Sequence, residues 1–287
     1  MAAPSVAVAV PTVGLELDPD EQTSFRQLRR VLGGYDTYLV LPDDVEGTLD
    51  GLPVKRVAAA YFRTRRRNQG LMISPEFYAA FRAYDFVLIH QLDSLVLSDE
   101  LPAWCEAGWD NVGAPWTRRA ADGTLLLTGV GNGGFALRKV ESCLRVATLA
   151  RRSLPRLRTL AWFGASVGRR FVGHLPRTLR TITTSRRKLR TAVATARGAL
   201  AATFLTEDKF WSEMAPRLDR TFRIPPPEEA LSFAFETNPR ECFELNGRRL
   251  PFGCHKWWFH DREFWEPYLV EPSAAPGDRE DVVGEVG

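Results

Sequence analysis

The unbroken apolar run Val6-Ala7-Val8-Ala9-Val10, closed by Pro11, limits the folds open to this chain more than any other feature. A strand without polar alternation suits a sheet covered on both faces, and so a parallel sheet flanked by helices. Asp18-Pro19-Asp20-Glu21 follows with a cap, a proline for the first turn and early acidic residues. They open a helix whose Phe25, Leu28 and Val31-Leu32 fall on one face, and Gly33-Gly34 stops it. Tyr35 to Leu41 reads as a second strand and Val54 to Val57 as a third. The expected class is therefore α/β, Rossmann-like, with a mostly parallel central sheet and helices on both faces.

Further along, Pro75 to Phe81 predicts a short helix leading into the apolar strand Phe86 to Ile89, and Asp99 to Ala107 a second one. Asp122-Gly123 marks a hairpin turn between Trp116 and Leu125-Leu126-Leu127. Gly129 to Gly134 is a glycine-dense loop entering a strand, and Glu207-Asp208 begins another helix. Phe222 to Ile224 reads as a strand before Pro225-Pro226-Pro227, and Pro251 to Trp258 as the close of the folded part.

With 287 residues and 45% hydrophobic content the chain can bury a full core. No run reaches the roughly eighteen apolar residues of a membrane span, and Met1 to Val10 lacks the basic flank and cleavage site of a secretory signal. A cytoplasmic protein is expected. Cys105, Cys143, Cys242 and Cys254 form no C-x-x-C pair, so buried reduced thiols are expected rather than disulfides or zinc.

Charge is unevenly spread. Ser142 to Thr206 holds thirteen Arg, one Lys and no acidic residue, so it carries +14 and, against a net +3, leaves −11 on the rest. Residues 151–202 are read as a basic helical insertion, with Leu179, Ile182, Leu189, Val193, Ala196 and Leu200 at helical spacing. It separates residues 1–150, expected to bind a donor, from 203–271, expected to complete the same domain on the acceptor side; 272–287 reads as a disordered acidic tail. The insertion is either a solvated helical cover or a surface for an anionic membrane, where each basic side chain contributes on the order of 1 kcal/mol. In the latter case the protein sits peripherally at the inner face of the plasma membrane.

The chemistry-bearing residues begin with Asp93, a carboxylate just beyond the strand Phe86 to Ile89. In an α/β enzyme that is where a divalent cation or a phosphate-bearing ligand is met, although a lone Asp there also suits a cap. His255, between a glycine turn and Trp257-Trp258, is a second candidate metal ligand. His90, His174 and His260 read as structural. The loop Asn132-Gly133-Gly134 lets backbone approach a ligand, and the Asn132 amide can donate to and accept from sugar hydroxyls. Trp116 offers a flat face for a sugar ring, a core role being the equal alternative. Asp208 is the candidate general base and Glu207 a loop-orienting neighbour, although acidic residues in a first helical turn are expected from the dipole alone. Thr12, Asn68 and Gln91 complete the candidate donor- and acceptor-binding set.

Taken in order, IHQLDSLVL, NVGAPW, GVGNGGFALR, EDKFW and PFGCHKWW resemble a family of bacterial and fungal GT-A-type glycosyltransferases, over roughly Val6 to Trp258. The resemblance implies a GT-A fold, a nucleotide-diphosphate sugar donor of UDP type and a Mn²⁺ or Mg²⁺ ion. Asp93 matches the aspartate of the D-x-D region and His255 the C-terminal metal-binding histidine. Asn132 to Gly134 match the loop at donor sugar and acceptor, and Asp208 the base of inverting members. The D-x-D is incomplete: Gln91-Leu92-Asp93 lacks its first carboxylate and Asp93-Ser94-Leu95 its last. The function expected is hexosyl transfer, with inversion, to a glycan or lipid-linked glycan in polysaccharide synthesis. Two rivals stand beside it. A nucleotidyltransferase would want a basic glycine-rich loop after the first strand, which Pro11-Thr12-Val13-Gly14 is not. A non-catalytic adaptor would use the Arg-rich segment on membrane or nucleic acid, the latter not being the expected partner of an enzyme.

Overall fold

The computed structural model describes residues 3–63, 70–152 and 206–270. The basic insertion from 153 onward, the acidic tail and Asn68 lie outside the described residues. Six strands form the central sheet in the order β3 (Val54–Val57), β2 (Asp36–Pro42), β1 (Val6–Pro11), β4 (Phe86–His90), β9 (Phe135–Lys139), β6 (Asn111–Gly113). The first four are mutually parallel, whereas β9 runs antiparallel to both of its neighbours. The sheet is thus mainly parallel, as the apolar runs require.

Alternation within each strand divides the core between two faces. Val8, Val10, Leu39, Leu41 and Leu88 meet Phe25 and Leu28 of helix Pro19–Val31 on one side. Ala7, Ala9, Val40, Val87 and Ile89 meet Phe77, Tyr78, Phe81 and the helical residues 140–152 on the other. The small Ala7 and Ala9 leave room there for the large rings. Asp18 caps the first helix as expected: its Oδ1 accepts from the N–H groups of Asp20 and Glu21, both at 2.9 Å, and Glu21 accepts from the Asp18 N–H at 3.1 Å. Such a cap contributes about 1 kcal/mol.

Beyond β4 the chain makes a turn and then β5 (Ser94–Val96), which leaves the main sheet for a smaller one. There it pairs antiparallel with β11 (Gly253–His255), which lies beside β10 (Ala234–Phe235). Trp257, Trp265 and Phe235 pack beneath this second sheet. A hairpin of β7 (Pro115–Arg119) and β8 (Leu125–Val130) forms across the Asp122-Gly123 turn. All four cysteines are buried and free.

Two expectations need correction. Phe222 to Ile224 is not a strand: the Arg223 N–H goes to the Asp110 carboxylate at 2.6 Å and its carbonyl accepts from the Asp110 N–H at 2.8 Å. The three prolines that follow have no N–H with which to extend a ladder. Nor does the fold close at Trp258, since helix Arg262–Trp265 and the 3₁₀ turn Glu266–Tyr268 continue it, with Trp265 fully buried. Among the described residues no helix is long and apolar enough to cross a membrane.

Candidate active site

A cavity of about 450 Å³ opens beyond the carboxyl end of β4 and the adjacent amino end of antiparallel β9, the side of the sheet where ligands bind in folds of this kind. Its lining includes eight of the residues singled out in the sequence: Gln91, Asp93, Asn132, Gly133, Gly134, Glu207, Asp208 and His255. Trp116 lines two adjoining cavities. Thr12 is buried elsewhere, its hydroxyl donating to the Gly14 carbonyl at 2.9 Å.

Asp93 and His255, far apart in sequence, meet because β5 and β11 pair with Ser94 opposite His255. The Trp257 N–H then donates to the Asp93 carbonyl at 3.2 Å. The turn that permits this bends at Lys256, whose φ of 54° lies in the left-handed region. A non-glycine residue there costs of order 1 kcal/mol and is kept only when its surroundings fix it. Here the Lys256 carbonyl accepts from the N–H groups of Phe259 and His260, both at 3.0 Å.

Asp93 Oδ1 and His255 Nε2 stand 3.2 Å apart as an ion pair, and neither atom has another partner among the described residues. On the other side of the ring, His255 Nδ1 is 3.2 Å from Glu236 Oε1, which also accepts from Lys256 Nζ at 2.7 Å. With Nδ1–H directed at Glu236, Nε2 faces Asp93 and carries a proton when the ring is charged, a lone pair for a cation when it is neutral. Burial works against charge on His255, but the flanking Asp93 and Glu236 carboxylates more than offset it and hold the imidazole up to about 9. Burial likewise works to raise Asp93 and Glu236; His255 and Lys256 outweigh it and keep both low, Glu236 at about 2. Proton or cation, something positive belongs between these groups.

Two buried oxygen and nitrogen ligands fit a hard divalent ion that takes its remaining ligands from phosphates and water. Among the described residues no third His, Cys, Asp or Glu joins them as a metal set.

The opposite wall is built around Arg138. The pleat of β9 turns Phe135 and Leu137 toward one core and Arg138 toward the other, where its side chain is 1% exposed. Its Nη2 pairs with Glu207, its Nη1 donates to the Tyr78 hydroxyl at 2.9 Å and its Nε to Asn111 at 3.0 Å. Desolvation opposes the Arg138 charge and the adjacent Glu207 overcomes it. Desolvation pushes the Glu207 carboxyl up to about 7, with Arg138 pulling it back. A Cβ on Gly133 would overlap the Glu207 carboxylate, and one on Gly134 the His255 ring. Close approach, not backbone torsion, demands these glycines.

Asp208 Oδ1 accepts from the Gly133 N–H at 2.7 Å. Asn132 Oδ1 accepts from the Gly134 N–H at 3.0 Å, so of the two roles expected for that amide its donor is the one left for a ligand. Glu236, Lys256, Trp258 and Phe259 also line the cavity and were not anticipated. The signal for Lys256 was its place directly after His255; Glu236 had none.

A mainly parallel α/β domain with a polar cavity at its strand ends is the class that fold and site define. The chain belongs to the family described as "Protein of unknown function (DUF5672)", whose model matches residues 51–255. No curated protein matches it. Among solved structures it is similar to A197 from STIV (12% identity, TM-score 0.29, 48% of this chain and 66% of that one). It is similar also to the apo-form glycosyltransferase GlyE of Streptococcus pneumoniae TIGR4 (12%, 0.40, 93% and 61%). A third is a glycosyltransferase involved in glycosylation of the major capsid of PBCV-1 (10%, 0.41, 92% and 98%). The chain thus spans less than two thirds of the length of the first two, 66% and 61%.

Proposed function

We propose that this protein is a glycosyltransferase that moves a sugar from a nucleotide-diphosphate donor to a hydroxyl of a glycan or lipid-linked glycan. The observation that carries the reading is the approach of Asp93 and His255, each with an unpartnered polar atom, in a cavity that also holds Asp208 and the Asn132-Gly133-Gly134 loop. In this reading Asp93 and His255 hold Mn²⁺ or Mg²⁺. The ion supplies neutralisation of the charge that gathers on the departing diphosphate.

The remaining roles fall to the chain itself. Glu236 keeps the Nδ1 proton of His255 in place, and Lys256 adds a positive charge beside the phosphates. Asn132 donates to a donor-sugar hydroxyl. Asp208, steadied by the Gly133 N–H, takes the proton of the attacking hydroxyl through its other oxygen. Glu207 is engaged by Arg138 and is poorly placed to act as a nucleophile, which favours single displacement with inversion.

A screen of nucleotide sugars for release of the nucleoside diphosphate tests the proposal. Slow hydrolysis of at least one donor is expected, falling roughly 10²–10³-fold in Asp93→Ala. Full turnover by that variant, or no donor turned over by the unaltered protein, would count against it.

A further inference from the structure

The catalytic cavity does not end at Asp208. A second cavity of about 360 Å³ shares Asp208 and Glu236 with it and runs to Trp116; a third, of about 460 Å³, begins on the other side of Trp116. We infer that these form one groove for an extended oligosaccharide acceptor, with a sugar ring lying against Trp116 several ångströms beyond the reacting hydroxyl. The inference rests on the glycosyltransferase reading and adds to it the direction and minimum size of the acceptor.

Three observations support it. Trp116 is half-buried, its indole lying over Gly129 and Gly131, where a Cβ on either glycine would come within 2.9 Å of the ring. Glycine at both positions lets the indole approach the backbone of β8 and the loop after it, and Trp116 lines both cavities. A flat apolar wall of this kind suits the C–H face of a pyranose. The wall is then flanked by hydroxyls and a cation. Thr117 and Thr237 Oγ1 atoms are 2.7 Å apart, Asn238 Nδ2 donates to Thr117 at 2.9 Å, and exposed Lys209 borders the same cavity. An apolar face edged by donors and acceptors matches a polyhydroxylated chain better than a lipid tail or a nucleobase. Finally, the sheet separates the two parts of the site: Asp93 follows the central strand β4, while Trp116 follows β6, two strands away at one edge of the sheet. A nucleotide held beside Asp93, beyond the end of β4, leaves the β6 side for the acceptor.

The test is equilibrium binding of linear gluco-, manno- and chito-oligosaccharides of two to six units, read by tryptophan fluorescence and calorimetry on the full chain. For at least one series, affinity is expected to rise roughly tenfold between the disaccharide and the tetrasaccharide. Trp116→Ala should lose about tenfold for the longer members and flatten that rise, while Trp116→Phe should keep most of it. No binding by any series, or a length dependence unchanged in Trp116→Ala, overturns the groove. Donor hydrolysis by the unaltered protein separates the two readings. If a donor is turned over but saccharide binding ignores Trp116, only the groove fails. If binding follows Trp116 and no donor is turned over, the groove stands as a glycan site and the transferase reading falls.

Discussion

The two walls of the cavity at the end of β4 solve the problem of buried charge in opposite ways. Around Arg138 and Glu207 the donors and acceptors of Tyr78, Asn111 and the Met72 carbonyl complete the network. At Asp93 and His255 one atom of each side chain is left without a hydrogen bond among the described residues. A completed network fixes geometry and asks for nothing more, whereas polar atoms left open and aimed at one another mark the place where a ligand supplies the missing charge. Arg138 is therefore placed to hold Glu207 and, through it, the neighbouring Asp208 and glycine loop; the open atoms of the opposite wall are where we propose that the cation and diphosphate bind.

The contrast is open to direct attack, beginning with stability. Arg138→Met leaves Glu207 buried without its cation and should cost 3–5 kcal/mol, or roughly that, in urea unfolding. Replacing both by apolar residues of similar volume should recover most of the loss. A mild effect of the single change would show that Arg138 is not the keystone of that wall.

His90 sharpens the comparison because it is also buried with neither ring nitrogen hydrogen-bonded among the described residues, yet it is no part of the cavity lining. Desolvation pulls it down to about 4. A histidine depressed in the folded state gives stability that is complete above its unfolded value of about 6.5 and lost as pH falls toward 4, here by up to about 3 kcal/mol. His90→Phe should flatten that part of the acid unfolding profile, and a profile unchanged by the substitution would contradict the burial argument.

Gly134→Ala sets a methyl against the His255 ring and should cost about 1–3 kcal/mol, with loss of divalent-ion binding measured by calorimetry. Smallest in stability is Asp93→Asn. It removes one of the two carboxylates that keep buried His255 charged and leaves the other, Glu236, in place, so the loss at neutral pH should be about 1 kcal/mol, while donor turnover collapses. Comparable losses in both readouts would assign Asp93 to the framework instead.

Much of this was legible in the chain. Uninterrupted apolar runs announced the parallel strands, the Asp18 cap announced the first helix, and the glycine-dense loop announced close approach. Local patterns of this sort are decided by neighbours in sequence. What escaped depends on distant pairing. Nothing around Glu236 says that a two-residue strand will set it against His255, and Arg138 looks like an ordinary strand residue until the pleat of β9 turns it inward toward Tyr78 and Glu207. Phe222 to Ile224 was misread because its apolar ends match a strand while the carboxylate that captures its N–H lies at Asp110.

The most direct measurement is calorimetric binding of a nucleoside diphosphate with and without Mn²⁺, in the unaltered protein and in Asp93→Asn. Binding that requires Mn²⁺, releases protons as the ion displaces that of His255, and disappears in a folded Asp93→Asn protein is the predicted result. Equal binding in the presence of a chelator, or in the variant, would contradict the claim that Asp93 and His255 together grip a diphosphate through a shared cation.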